Sequence, residues 1–329
     1  MPPTAPTKPG LDPRALGLPL GAAALSLAIA PLVPLVGPLL VALALGAVIA
    51  NSSLAGRPAL AGQHAAGRLL LRLGVVALGL RLPVGDVLAV GGSGLAVVAV
   101  TVTVTYLGTL LIGDRLGLEH GFVTLVAAGF SICGAAAIAA VEGSARASRR
   151  DVALAVALVT VYGSAMIVLV PWLAAVLGLT ERQAALWAGA SIHEVAQVAA
   201  AASLVGTGAV ALAMTVKLGR VLLLAPVNVA AGRRGRHHSG GTAHVPLVPW
   251  FVAGFAVAVA IRSSGILGAT ALEVADLAAT VLLAAGMFGL GLGIRARELW
   301  PVPARALVLA TLSTGLAAAT SLALVMSSA

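Results

Sequence analysis

The sequence predicts an all-α membrane protein that crosses the bilayer many times. Hydrophobic residues make up 60% of the 329 residues and charged residues only 9%, with a mean hydropathy of +1.07. Soluble domains carry charge on about a quarter of their residues. The apolar residues form continuous runs of roughly twenty, the length of a spanning helix, and not the alternating strands of an outer-membrane barrel. We therefore expect a polytopic bundle of about nine to eleven transmembrane segments.

A single transmembrane domain is predicted for residues 15–329. Residues 1–14 contain five prolines and no apolar run, which favours a disordered tail. A stretch rich in Gly, Ser and Arg at 232–245 is predicted to be a flexible loop. The candidate apolar segments lie at 15–32, 34–51, 67–84, 94–113, 121–142, 151–177, 183–205, 208–231, 247–263, 273–294 and 302–327.

Two internal repeats are visible. Residues 33–95 align without a gap on 245–307, at an offset of 212 positions. A shorter repeat, at an offset of 60, aligns Ala128-Gly129-Phe130-Ser131-Ile132 with Ala188-Gly189-Ala190-Ser191-Ile192. These two motifs lie in segments 121–142 and 183–205, and their small and polar residues indicate broken helices that meet at mid-membrane. Inverted repeats with broken segments are typical of secondary transporters.

Basic residues favour one topology. If all eleven segments cross, the arginines near residue 149 and those near residue 234 lie on opposite sides, against the positive-inside rule. If 121–142 and 183–205 each enter and leave on one side, the chain crosses nine times and these loops are all cytoplasmic, as is the N-terminus. We assign the net charge of +9 to such cytoplasmic loops and not to nucleic-acid binding. A crossing by discontinuous helices remains the alternative.

Ionisable residues inside apolar segments are costly and therefore candidates for function. We expect Glu194 to pair with Lys217 or Arg220, leaving one cation to face backbone N–H groups of the two motifs and so to bind an anion. The alternative is that these charges only hold the bundle together. The predicted substrate-binding residues are Ser131, Ile132, Cys133, Gly134, Ser191, Ile192, Lys217 and Arg220, and the predicted proton- or ion-coupling residues are His193, Glu194 and Gln197.

Other charges in or beside the apolar segments are assigned to snorkelling or capping. They are Arg72, Arg81, Arg262, Glu273 and Asp276.

The stretch from His193 to Gln197 resembles the zinc-protease motif H-E-x-x-H. Gln197 occupies the position of the second histidine ligand. The sequence therefore predicts no metal site, no cofactor and no enzyme.

Three stretches together resemble the YeiH-type sulfate exporter family. They are Gly129-Phe130-Ser131-Ile132-Cys133-Gly134-Ala135-Ala136-Ala137-Ile138, Gly189-Ala190-Ser191-Ile192-His193-Glu194-Val195-Ala196-Gln197-Val198 and Val216-Lys217-Leu218-Gly219-Arg220-Val221. The resemblance implies a multi-pass inner-membrane protein, distantly related to cation/proton antiporter and bile-acid symporter folds. At Phe130 the chain departs from the small residue expected there.

The function predicted first is secondary active transport of a small anion, sulfate or a related sulfur oxyanion, by alternating access driven by a proton or sodium gradient. The bilayer, the anion and the coupling ion are its expected partners, and a homo-oligomer is left open. The second hypothesis is a cation/proton antiporter with Glu194 as the ion ligand. An intramembrane enzyme and a passive structural or sensor protein are the third and fourth.

Overall fold

The computed structural model describes residues 13–32, 37–55, 57, 60, 62–206, 208–239, 250–295, 297 and 301–327, so most of the predicted N-terminal tail lies outside the described residues. Its α-helices are α1 Gly17–Ile29, α2 Pro38–Ala50, α3 Gln63–Leu78, α4 Val84–Ala89, α5 Gly91–Arg115, α6 His120–Ser131, α7 Ala135–Ala145, α8 Arg149–Val176, α9 Glu181–Ser191, α10 Val195–Val205, α11 Ala209–Leu222, α12 Leu224–Ser239, α13 Trp250–Ser263, α14 Ala269–Gly291 and α15 Ala304–Ser327. Each predicted apolar segment overlaps at least one of them, and within the described ranges there is no strand. The predicted fold class is confirmed.

Five stretches are long and apolar enough to cross a membrane by themselves. They are 91–115, 149–176, 209–235, 269–291 and 304–327. Shorter apolar helices, among them α1, α2 and α13, complete the bundle. Helices α8 and α9 each begin with a capping box, which Ser148 forms with Asp151 and Thr180 forms with Gln183. These boxes satisfy backbone N–H groups that have no partner within the helix.

Segment 121–142 is a helical hairpin. A Cβ built on Gly121, near the start of α6, would lie 3.0 Å from the Cα of Ala147, just after α7. A Cβ on Gly129, near the tip, would meet Ile138 of α7. The two helices therefore run antiparallel and return to the end at which they began. With twelve residues, α6 is about 18 Å long, which takes the tip roughly halfway through a ~30 Å hydrocarbon core.

Segment 183–205 is a second hairpin that opens at the other end of the molecule. Gly206, directly after α10, packs on the side chain of Glu181, the first residue of α9. Since the 28-residue helix α8 joins the two hairpins, they enter from opposite ends. Both segments are therefore helical hairpins, which is the shape that the re-entrant arrangement requires.

Helix bounds follow the two sequence offsets. The second hairpin and the helix after it begin at residues 181, 195 and 209, and the first hairpin and α8 at 120, 135 and 149. These starts lie within one residue of the offset of 60, which therefore extends over whole helices. For the offset of 212, α2 begins at 38 and α13 at 250, and α5 begins at 91 and α15 at 304, within one residue of it. Helix α14 begins at 269, six residues earlier than the start of α3 at 63 would give.

Contacts show that the copies related by the offset of 212 run in opposite directions. After α2, Asn51 donates to the carbonyl of Ile294, which follows α14. At the end of α13, the hydroxyl of Ser263 accepts from the N–H of Val84, the first residue of α4, which follows α3 at the other end of the molecule. The partners α3 and α14 pack closely, and a Cβ on Gly67 would lie only 2.7 Å from the Cα of Gly289. Small residues permit this approach of two backbones.

The end at which α7 stops and α8 starts is called here the basic end. Arg234 pairs there with Asp114, and Arg305 donates to the carbonyl of Leu116 at 3.1 Å. Arg149 and Arg234 therefore lie at the same end of the molecule. The opposite end carries the Arg81 ion pair with Asp276.

The predicted loop at 232–245 was wrong in its first part. Helix α12 continues to Ser239, and Gly235 packs on the backbone of Ser144, so residues 232–239 are helical. Residues 240–245 lie outside the described part of the chain. The Gly, Ser and Arg composition of this stretch favours a loop. Tertiary contacts at Arg234 and Gly235 nevertheless stabilise a helix there, although the local sequence favours a helix only weakly.

Candidate functional site

Arg220 joins the tips of the two hairpins. Its Nε and Nη2 donate to the carbonyl of Ser131 at 2.9 and 2.7 Å, and Nη2 also donates to Phe130 at 3.0 Å. Its Nη1 donates to the carbonyls of Ala190 at 2.6 Å and Ile192 at 3.1 Å. These carbonyls belong to the C-terminal ends of α6 and α9, which have no partner within the helix. All five guanidinium N–H groups are engaged, and the side chain is fully buried.

Lys217 reinforces the second tip. Its ammonium donates to the carbonyl of Ile192 at 2.6 Å, and the residue is fully buried. Both cations therefore stabilise helix C-termini, where positive charge is favourable. The predicted ion pair was wrong, because Glu194 belongs to none of the four ion pairs among the described residues. The expectation that one cation faces backbone N–H groups was also wrong, because both cations donate to backbone carbonyl oxygens.

Glu194 lies where the N-termini of two short helices converge. Its carboxylate accepts from the N–H of Gln197 in a capping box of α10, and its Oε1 lies 3.4 Å from the N–H of Ala135, the first residue of α7. Helix N-termini attract negative charge. A buried carboxylate from one hairpin therefore caps a helix of each hairpin.

Gly134 makes this approach possible. Its φ of +75° is a conformation that favours glycine, and a Cβ there would collide with the side chain of Glu194. Any larger residue would displace the carboxylate from α7.

A cavity of about 220 Å³ lies against this pair of N-termini. Cys133, Glu194 and Val195 line one side of it. Its other walls are formed by α2, α3, α11 and α14, so it lies between the hairpins and the repeat-related helices. We call it the central cavity.

The remaining predicted residues lie around the tips. The hydroxyls of Ser131 and Ser191 donate to carbonyls of their own helices, Ala128 at 3.4 Å and Trp187 at 2.7 Å. Both serines are fully buried and neither lines the central cavity. Ile132 is also fully buried.

Gln197 braces α10. Its Oε1 accepts from the N–H of Glu194 at 3.1 Å, and its Nε2 donates to the carbonyl of Thr160 on α8 at 3.3 Å. The amide of Gln197 thus connects Glu194, a predicted coupling residue, to α8.

His193 points away from the central cavity. Its Nε2 lies 3.1 Å from the hydroxyl of Thr314 on α15, and its ring packs on Phe130 with centroids 4.5 Å apart. The large side chain of Phe130, at a position where a small residue was expected, therefore packs against the second hairpin. Although adjacent in sequence, His193 and Glu194 face different surroundings.

Sequence reasoning missed Arg81. It lines the central cavity, pairs with Asp276 at 2.5 Å and donates to the hydroxyl of Thr280 at 2.5 Å. The assignment of Arg81 and Asp276 to snorkelling or capping did not include this ion pair. The sequence did contain a signal for this ion pair. Arg81 and Asp276 have opposite charges and lie in apolar segments that belong to different copies of the repeat.

A second cavity, of about 520 Å³, opens at the basic end. Its lining includes Arg68, Arg149, Arg150 and Arg295. Along α3, Arg68 lines this basic cavity and Leu71, one turn further, lines the central one. The two cavities are thus close neighbours along the same helix. Among the described residues, no group of three His, Cys, Asp or Glu side chains could hold a metal ion.

Comparison with known proteins identifies the family. Residues 15–310 match the family model described as Conserved hypothetical protein 698. The chain is 41% identical to a UPF0324 membrane protein of Corynebacterium glutamicum over 88% of this chain and 84% of that protein. It is 36% identical to a relative of the same description from Pseudomonas aeruginosa, over 87% and 86%.

A third relative is the UPF0324 membrane protein TauZ of Paracoccus denitrificans. It is 35% identical over 82% of each chain. No solved structure matches the chain. The chain is therefore a multi-pass membrane protein of the UPF0324 family, the same family as the YeiH-type proteins that its motifs resemble.

Proposed function

We propose that this protein is a secondary active transporter of a small anion, sulfate or a related sulfur oxyanion, that works by alternating access. One observation carries the proposal. The N-termini of α7 and α10, from hairpins that enter the bundle at opposite ends, converge beside one cavity and share one carboxylate. Converging helix N-termini form a site for negative charge.

Glu194 acts in this proposal as a tethered competitor of the substrate. Its carboxylate occupies the N-termini of α7 and α10 when no anion is bound. Protonation removes its charge and releases these N–H groups to the substrate anion. Binding of the anion is then linked to binding of a proton, which couples transport to the proton gradient.

In the proposal, Lys217 and Arg220 position the hairpin tips and contribute an electrostatic field, without contacting the substrate. They do not line the central cavity, and their donors hold the carbonyls of the tips. They fix the tips so that α7 and α10 point at one place, and their positive charge lowers the cost of a nearby anion. This replaces the direct contact to substrate that the sequence suggested.

The basic cavity supports an anionic substrate. Four arginines line it, and a cavity lined by one sign of charge concentrates ions of the other sign. By the positive-inside rule the basic end is cytoplasmic in this proposal. An anion from the cytoplasm would be collected there, next to the central cavity.

The proposal can be tested with purified protein. We expect sulfate or a small sulfonate to raise the unfolding temperature, because a ligand that binds only the folded state stabilises it. In the parent the stabilisation should increase as pH falls. In Glu194→Gln it should be at least as large and independent of pH. Glu181→Gln, at the outer end of the second hairpin, is the matched control and should behave like the parent.

The antiporter hypothesis gives the opposite result. A cation ligand at Glu194 predicts that sodium or another cation stabilises the parent, that Glu194→Gln abolishes this effect, and that no anion binds. The present geometry favours the anion, because the groups that face Glu194 are N–H donors of helix N-termini.

A further inference from the structure

The central cavity has one polar side, and most of its other lining is apolar. Its polar side is the pair of N-termini with Glu194. The remaining walls are largely aliphatic or thioether side chains from four different helices, namely Leu39, Leu71, Leu78, Met214, Leu283 and Met287. Arg81 and Thr280 also reach the lining, but they hydrogen-bond to each other, and Arg81 is paired with Asp276.

The cavity is also larger than an inorganic oxyanion. A cavity of about 150 Å³ lined by apolar side chains holds benzene, which has six heavy atoms. The central cavity has about 220 Å³. Sulfate, with five heavy atoms, would leave room for several more.

The chemistry of the walls discriminates between kinds of anion. Sulfate carries charge on oxygens that point in all directions, so some of them would face leucine and methionine and lose their hydrogen bonds to water. An anion with its charge at one end can place that end at α7 and α10. Its hydrocarbon part then displaces water from the aliphatic walls, which is favourable.

We propose that the substrate is a small organic anion, with a sulfonate or carboxylate group at one end and a short hydrocarbon chain at the other, and not bare sulfate. The proposal rests on the proposed function, since it names the substrate class of the same site. It assigns the anionic group to the paired N-termini and the hydrocarbon part to the walls formed by α2, α3, α11 and α14.

The test measures binding of sulfate and of straight-chain alkanesulfonates from one to six carbons to the purified full-length protein. Burial of a methylene group changes affinity about fourfold. We therefore expect the dissociation constant to fall by about that factor for each added carbon until the cavity is full, and then to rise. Sulfate should bind more weakly than propanesulfonate.

Two variants test the walls separately from the polar side. Met214→Gln and Leu39→Gln keep a side chain of similar size on two different helices and should flatten the dependence on chain length, while methanesulfonate binds as to the parent. Leu212→Gln, on the same helix as Met214 but outside the cavity lining, is the control and should keep the dependence.

The outcomes separate this inference from the proposed function. If sulfate binds as tightly as propanesulfonate, and affinity does not change with chain length, the organic anion is wrong while anion transport stands. If none of these anions binds to the parent or to Glu194→Gln, the proposed function itself is wrong.

Discussion

Arg68 on α3 and Glu142 on α7 form an ion pair, with Arg68 Nη1 3.2 Å from Glu142 Oε1. The pair connects a repeat-related helix to the first hairpin. Arg68 lines the basic cavity, one turn before Leu71, which lines the central cavity. In the proposed alternating-access mechanism, these two groups of helices move relative to each other. The ion pair is therefore placed to favour the arrangement seen here.

The first prediction is that Glu142→Gln opens the central cavity towards the basic end. Cys133 lines that cavity and is the only cysteine of the chain, so it is a natural reporter. A partly exposed ion pair contributes about 0.2–1 kcal/mol. We expect an impermeant thiol reagent to modify Cys133 up to about fivefold faster from the basic side.

Glu119→Gln, at the same end but away from α3, should leave the rate unchanged. An unchanged rate in Glu142→Gln would mean that the pair does not control access.

The second prediction concerns Arg220. Replacing it with Gln leaves the carbonyls at the ends of α6 and α9 without their donors, and hydrogen bonds to a charged group contribute about 1.5–3 kcal/mol each. Arg220→Gln should therefore lower the free energy of unfolding by at least about 3 kcal/mol. Arg220→Lys should also be destabilised, because one ammonium cannot reach both tips.

Denaturant unfolding in detergent, followed by circular dichroism, measures this change. Arg182→Gln is the matched control, because Arg182 makes a single long bond, 3.5 Å, to the carbonyl of Val90. It should lose less than about 1 kcal/mol. Equal stability of Arg220→Gln and the parent would contradict the structural role and return Arg220 to direct substrate binding.

The third prediction uses two glycines of the first hairpin. Gly134→Ala strains a backbone at φ +75° and pushes its Cβ into the side chain of Glu194. It should cost about 1–3 kcal/mol and remove the pH dependence of anion binding, because the carboxylate leaves α7. Gly143→Ala lies within α7 with open space around it, and should stabilise the protein by about 0.5–1 kcal/mol.

Thermal unfolding and anion titration at two pH values report both effects. If Gly134→Ala retains the parent's pH dependence, Glu194 does not act through α7.

Much of the fold could be predicted because hydropathy and repeats are properties of the sequence. Most helix start sites in the repeats lie within one residue of the offsets of 60 and 212, and the breaks occur at the Ser131 and Ser191 motifs. The positive-inside rule favoured re-entrant segments, and the contact of Gly121 with Ala147 shows a hairpin.

The site could be predicted only in part. Lys217 and Arg220 were identified as buried cations, but their spacing does not say whether they face helix N-termini or C-termini. Only the three-dimensional structure decides this. In it, Glu194 contacts the helix N-termini, and the two cations contact the helix C-termini. Arg81 was missed because its partner Asp276 is 195 positions away in the sequence.

The last prediction concerns membrane topology. The hairpins place residues 119 and 146 at the basic end, and residues 181 and 208 at the opposite end. If the basic end is cytoplasmic, single cysteines at 119, 146, 149 and 234, introduced after Cys133 is replaced by Ser, should react with an impermeant reagent only in inside-out vesicles. Cysteines at 181 and 208 should react only in intact cells.

Pairs of sites distinguish the two models. Discontinuous helices that cross the membrane would place 119 and 146 on opposite sides, and likewise 181 and 208. Labelling of both members of each pair from one side therefore supports re-entrant hairpins, whichever side it is. Reaction of 149 or 234 in intact cells would reverse the orientation and place the basic cavity outside. The arginine-lined cavity would then collect substrate for uptake and not for export.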